Sequence, residues 1–140
     1  MNILVKMTTI LIICFLSFPI EAQDNLTITI IVDEAASNDG KMFIALYNTE
    51  TDFLKKPFKN SISVIENNSS TVVFNNIPQG TYGISVFHDE NDNGIMDTNF
   101  MHIPKEAYGC SNDAKGFMGP PKWSDAKFQM KENKTVNISI

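Results

Sequence analysis

An all-β chain is predicted, a sandwich of about seven short strands with one long loop over residues 98–124, and three features predict it. Apolar and polar residues alternate with a period of two in seven segments, the signature of strands buried on one face. Turn-forming clusters such as Asn38-Asp39-Gly40, Asn67-Asn68-Ser69 and Pro78-Gln79-Gly80 separate the segments, as in antiparallel sandwiches. No long helical pattern and no internal repeat competes with them.

The first segment places Leu26, Ile28, Ile30 and Val32 on one face and Thr27 and Thr29 on the other. Met42 to Tyr47 is apolar on both faces, which predicts a central strand. Thr51 to Lys56 is the one helical piece, a turn or two stopped by Pro57, because the residue before a proline avoids the helical region. Strands are expected next at Ile62 to Ile65 and Val72 to Phe74. In Ile77-Pro78-Gln79-Gly80-Thr81-Tyr82 the proline fixes φ, Gly80 supplies a positive φ, and Tyr82 can cap a sandwich corner through its hydroxyl. This turn, running into the strand Tyr82 to Val86, resembles those of transthyretin-like modules, which bears on fold and not on activity. Ala126 to Met130 and Val136 to Ile140 complete the set, the last as an edge strand.

Residues 1 to 22 read as an address. Lys6 precedes a mostly apolar run from Met7 to Phe18, which ends at Pro19-Ile20-Glu21-Ala22, the three-part pattern of a secretory signal. The run is shorter than the ~20 apolar residues that span a bilayer. Cleavage therefore leaves one domain, residues 23–140, with no transmembrane segment, placed in the periplasm or secreted; a retained N-terminal anchor is the alternative. Cys14 lies inside the apolar run with no small residue before it, which argues against lipidation there. Eleven Lys, no Arg and sixteen Asp plus Glu give a net charge of −5, which argues against a nucleic-acid partner. Cleavage also leaves Cys110 without an intrachain partner, so no disulfide framework is expected.

Two segments carry candidate chemistry. The long loop holds Phe100, Tyr108, Phe117 and Trp123, which either pin it to the sandwich or, through Tyr108 or Trp123, offer a flat face to a carbohydrate or peptide. Before it runs His88-Asp89-Glu90-Asn91-Asp92-Asn93-Gly94-Ile95-Met96-Asp97. Counting from Asp89, side-chain oxygens fall at positions 1, 3 and 5, Gly94 at 6, the Ile95 carbonyl at 7 and Asp97 at 9, most of a calcium loop. Alternate side chains then converge while Gly94 permits the sharp turn. Position 12 is Phe100 rather than an acid, a deficit that water or Glu106 could fill. Affinity should be weak, on the order of 10⁻⁴ to 10⁻³ M. An acidic hairpin with a tight Asn93-Gly94 turn is the competing reading. His88 falls in phase with Tyr82, Ile84 and Val86, so its ring should face the core. A zinc site from His88, His102, Glu106 and Cys110 would need ligands that no short spacing brings together.

The run IPQGTYGISVFHDENDNGIMDTNFMHIPKEAYGCSNDAKGFMGPPKWSDAKF resembles the bacterial domain-of-unknown-function family 2141, in which a strand ending in HDENxNGxxD is followed by IPKEGYGFSN and GPPxFxDA. The resemblance implies a small exported transthyretin-like or immunoglobulin-like sandwich and no established activity. Its distinctive positions here are His88, Asp89, Asn91, Asn93, Gly94, Asp97, Pro104, Lys105, Glu106, Tyr108, Gly109, Ser111 and Asn112. His102 stands where that pattern has glycine and Cys110 where it has an aromatic; a positive φ at that glycine would strain His102. The expectation is a non-enzymatic binding or structural module in which calcium, held by Asp89, Asn91, Asn93, Ile95, Asp97 and Glu106, orders the long loop toward an exported protein, peptide or carbohydrate. The alternatives are a metal-dependent enzyme or zinc protein using His88 and Glu106, and a module that pairs through its last strand.

Overall fold

The computed structural model describes residues 25–140; the expected signal segment lies outside the described residues. Eight strands form: β1 (Leu26–Asp33), β2 (Lys41–Tyr47), β3 (Lys59–Ser63), β4 (Ser70–Ile77), β5 (Gly80–Asp89), β6 (Tyr108–Cys110), β7 (Phe128–Met130) and β8 (Lys134–Ser139). A 3₁₀ turn, Ser111–Asp113, and one helical turn, α1 (Trp123–Ala126), lie between β6 and β7.

They make two sheets. The first has the order β4-β1-β8, with β1 antiparallel to β4 and parallel to β8. The second has the order β3-β2-β5-β6, and β7 pairs with the start of β5 at Gly80–Tyr82 while β6 pairs with it at Ser85–Phe87. As expected, β2 is central and β8 is an edge. Period two puts Ile28, Ile30 and Val32 of β1, Phe74 of β4 and Ile138 of β8 against Met42, Ile44 and Leu46 of β2 and Ile84 and Val86 of β5. Each such side chain contributes roughly 1.5–3 kcal/mol by leaving water, so the alternation itself selects the register.

A second, smaller core covers part of the outer face of the second sheet. Tyr47, Phe53, Cys110, Ala114 and Ala126 bury one another there, with Trp123 packed on them. The Phe53 ring meets Tyr47 edge-on at 5.3 Å and Trp123 at 5.5 Å. Gly83 is required beneath the indole, since a Cβ there would stand 2.8 Å from Trp123. Ser111 locks the assembly: its buried hydroxyl accepts the Ile84 N–H at 2.9 Å and donates to the Ala126 carbonyl at 2.6 Å. Asn112 adds Nδ2 bonds to the Asp125 and Lys127 carbonyls.

Several expectations need correction. The loop over 98–124 is not unstructured, since β6 and α1 lie within or across it. β3 runs from Lys59 to Ser63, so it begins earlier than expected and ends before Val64 and Ile65; its Ile62 is a solvent-exposed residue of an edge strand. Thr51 to Lys56 makes one helix-type bond, Lys56 N–H to the Asp52 carbonyl, but Leu54 is left-handed at φ 59°, so the piece is a turn. Ala126 belongs to α1, and β7 starts only at Phe128. Gly80 has no positive φ; the left-handed residue near that corner is Asn76, φ 57°. The corner is nevertheless capped as expected, with the Tyr82 hydroxyl donating to the Pro78 carbonyl at 2.8 Å.

Candidate functional site

The acidic loop leaves β5 at Asp89, which is fully buried. Its position is fixed from behind. His88 is also fully buried and faces the core, and its Nε2–H donates to the Asp39 carbonyl at 2.7 Å, while Nδ1 has no partner. Gly40, at φ 69°, lets the β1–β2 turn press on the loop, since a Cβ there would lie 1.9 Å from the Asp89 carbonyl oxygen. The turn and the loop base are thus one unit, and only glycine fits at their contact.

Within the loop the polar side chains converge as their spacing requires. Asp89 Oδ1 accepts the Asn93 N–H at 3.1 Å and Oδ2 the Gly94 N–H at 2.8 Å. Asn91 Oδ1 also accepts the Asn93 N–H, and Asn93 Oδ1 accepts the Ile95 N–H; these are successive Asx turns, in which a short side chain mimics a backbone turn. Gly94 has the positive φ, 81°, that the turn demands. Asp97 closes the ring: its carboxylate receives the Asn91 amide at 2.6 Å and the Asn93 amide at 3.2 Å.

Glu106 does return to this loop, and its geometry is that of a clasp. Oε1 accepts the Glu90 N–H at 3.2 Å and Oε2 the Asp97 N–H at 2.9 Å, so one buried carboxylate joins the two ends of the loop. Between Asp97 and Lys105 the chain forms a small hairpin, with Lys105 N–H donating to the Asp97 carbonyl and Thr98 bridged to Pro104. Asn99 holds its tip together, accepting the Met101 and Ile103 N–H groups on Oδ1. His102 in that tip is left-handed at φ 59°, the strained geometry expected where a glycine is usual.

The electrostatic consequence is specific. Among the described residues the one ion pair is Lys41 Nζ to Asp92 Oδ1, 3.0 Å, on the exposed rim. Asp89, Asp97 and Glu106 meet amide donors and no cation. Among the described residues no three of His, Cys, Asp and Glu form a group able to hold a metal. Any cation here would therefore depend on Asn oxygens and the Ile95 carbonyl together with Asp89 and Asp97. The zinc set is not gathered: His88 points into the core, His102 sits on the exposed hairpin tip, and Cys110 is buried in β6 opposite Ser85.

The two aromatic candidates separate. Trp123 packs on Phe53 over Gly83 and stays partly exposed. Tyr108 is partly exposed and lines a shallow recess of about 290 Å³ with Cys110, Lys115, Gly116 and Ser139. Burial pushes the Cys110 thiol up to about 11, so it is no nucleophile near neutrality. Sequence reasoning missed Asn99 and named Ser111 only as a position of the family resemblance, without its role; both act through hydrogen bonds to backbone far from any periodic pattern.

The model of a family described as "Uncharacterized protein conserved in bacteria (DUF2141)" matches residues 30–139. No curated protein and no solved structure matches the chain.

Proposed function

The chain belongs to DUF2141, a bacterial family described without an activity, and on that premise we propose that it is an exported binding module whose acidic loop takes up calcium and thereby stiffens the end of the sandwich that carries the hairpin. The supporting observation is the fully buried Asp89, paired through the loop with Asp97 and opposed by no positive charge. The Asn91 and Asn93 amide N–H groups now supply Asp97 with the positive end of a dipole. Calcium would supply it with a full charge. The two amides would then turn so that their oxygens, the Ile95 carbonyl and the two aspartates face the ion. Five protein oxygens fall short of the about six to eight that calcium takes, with water completing the shell.

Glu106 supports the reading from outside the ligand set, since it fixes the Glu90 and Asp97 amides and so the width of the loop mouth. Such outer partners tune affinity by orienting the ligands. Calcium serves here by cross-linking carboxylates that otherwise repel. Export follows from the N-terminal pattern of Lys6, the apolar run and Ala22.

A thermal melt of the purified protein in chelator and in graded calcium tests the proposal, with magnesium and zinc as controls. At ten times its dissociation constant the ion adds about 1.4 kcal/mol, which moves the midpoint by roughly 4–6 °C for a domain of this size. Asp97→Asn, at a half-exposed position that leaves the Asp89 and Glu106 bonds standing, should remove most of the shift. Absence of any calcium-specific rise up to 10 mM would overturn the proposal, and so would a rise with zinc alone.

A further inference from the structure

Asn93 is the one asparagine of the sequence that precedes a glycine, and the acidic loop surrounds that pair with groups that can act on it. Joining the Gly94 nitrogen to the Asn93 Cγ closes a five-membered ring, since only Cβ, Cα and the carbonyl carbon lie between them. Such a closure is fast where the two ends are held together. It makes three demands: the N–H proton must leave, the charge that develops on Oδ1 must be stabilised, and nothing must crowd the nitrogen.

The loop meets all three. The Gly94 N–H donates to Asp89 Oδ2 at 2.8 Å, within the reach at which a carboxylate accepts a proton. Asp89 is itself buried and also accepts the Asn93 N–H, so the acceptor is held in place. Asn93 Oδ1 accepts the Ile95 N–H at 2.9 Å, the distance of a donor that stabilises an oxyanion, and this Asx turn folds the side-chain amide back along the backbone. Both residues of the pair are exposed, and a Cβ on Gly94 would meet nothing within 4 Å, so water reaches the peptide unhindered. Asn91 supplies the contrast. Its Oδ1 also accepts an N–H, that of Asn93, but Asp92 follows it and sets a side chain beside the nitrogen.

We propose that Asn93 is a site of self-modification, at which the folded loop converts its own asparagine to aspartate and isoaspartate. The Gly94 nitrogen bonds to Cγ while its proton passes to Asp89 Oδ2. The tetrahedral carbon then expels Nδ2, which takes up that proton and leaves as ammonia, so Asp89 is returned unchanged and no group is oxidised or reduced. Water opens the resulting imide, at Cγ to give aspartate or at the backbone carbonyl to give isoaspartate with one more methylene in the main chain. Asn93 Nδ2 now donates to Asp97 Oδ1 at 3.2 Å. Either product loses that donor and gains a free carboxylate, so Asp97 keeps one of the two amides that close the loop. The change is one-way and needs no calcium in the loop.

Peptide mapping by mass spectrometry tests it on the purified protein kept warm at neutral pH, in chelator so that failure of the calcium proposal leaves the result readable. Asn93 should gain the mass of acid over amide, as a mixture of aspartate and isoaspartate, while Asn91 keeps its amide. The folded protein should convert at least as fast as the same chain in urea. Asp89→Asn should slow conversion of the folded protein about ten-fold or more and leave the rate in urea unchanged. Asn93→Gln, whose ring would be one atom larger, should not convert. An Asn93 that persists for weeks, conversion slower folded than unfolded, or aspartate without isoaspartate would each overturn the proposal, as would equal conversion at Asn91. Should Asp89→Asn fail to fold, the comparison of the parent folded and in urea decides the matter.

Discussion

Raising the pH past 9 should weaken the fold through Cys110 alone by an amount that its burial fixes. The thiol lies in β6 opposite Ser85, 2% exposed, and burial raises its pKa from 9.0 to about 11. Below pH 9 the thiol is protonated whether the chain is folded or not, and its contribution is intact. Between pH 9 and pH 11 the unfolded chain ionises while the folded chain holds its proton, so the unfolded state gains. Each pKa unit corresponds to about 1.4 kcal/mol, which puts the loss at roughly 2 to 3 kcal/mol by pH 11. Burial raises Tyr47 and Tyr82 as well, and they add their own loss above pH 10. Cys110→Ala removes the thiol and leaves a small cavity whose cost does not vary with pH. Urea unfolding at pH 8, 9.5 and 11 should show the parent losing about 2 to 3 kcal/mol more than Cys110→Ala across that range. Parallel profiles for the two proteins would refute the reasoning, and so would a native thiol that reacts with a disulfide reagent at pH 8 as fast as free cysteine.

Two further outcomes are expected. Ser111→Ala strips the acceptor from the Ile84 N–H and the donor from the Ala126 carbonyl at a fully buried position. Each orphaned group costs about 1–3 kcal/mol, so denaturant titration should show a loss of about 2 kcal/mol or more; a loss below about 0.5 kcal/mol would mean that Ser111 does not pin the second core. His102→Gly relieves a left-handed φ of 59° and should add about 0.5 to 1 kcal/mol of stability, seen as a higher thermal midpoint, once the extra freedom of glycine in the unfolded chain is subtracted. A lower midpoint would show that the imidazole makes contacts worth more than the strain.

Legibility followed a physical dividing line. Where burial on one face demands alternation, as at Ile28, Ile30 and Val32 or at Ile84 and Val86, the strands and their inward residues could be read directly. β6 could not: Tyr108-Gly109-Cys110 is three residues long, and its Gly109 is set by a packing constraint, a Cβ there being 2.6 Å from Ile138. β3 misled because Ile62 and Val64 point to water, so apolarity there says nothing of an inward face. In the acidic loop the spacing of Asp89, Asn91, Asn93, Gly94 and Asp97 gave the convergence, since oxygens at alternate positions and one flexible residue are enough to close a ring. That Glu106 would receive the Glu90 and Asp97 amides needed the hairpin between them, whose closure depends on the Asn99 side chain. Long-range side chain to backbone bonds leave no periodic trace.

The parallel pairing of β8 with β1 governs the order in which the molecule can be made. Ile28 pairs with Lys134 and Asp33 with Ser139, so the first strand waits for the last. For a chain that emerges N-terminus first, β1 can join β4 early, but its other edge stays open until more than a hundred further residues have arrived. Pairings of that separation are slow to form, because the loop must be closed before any contact rewards it. The unfinished chain therefore presents an unsatisfied strand edge for most of its synthesis, and a route that keeps it extended until Ile138 is available would spare it from pairing with a neighbour at that edge.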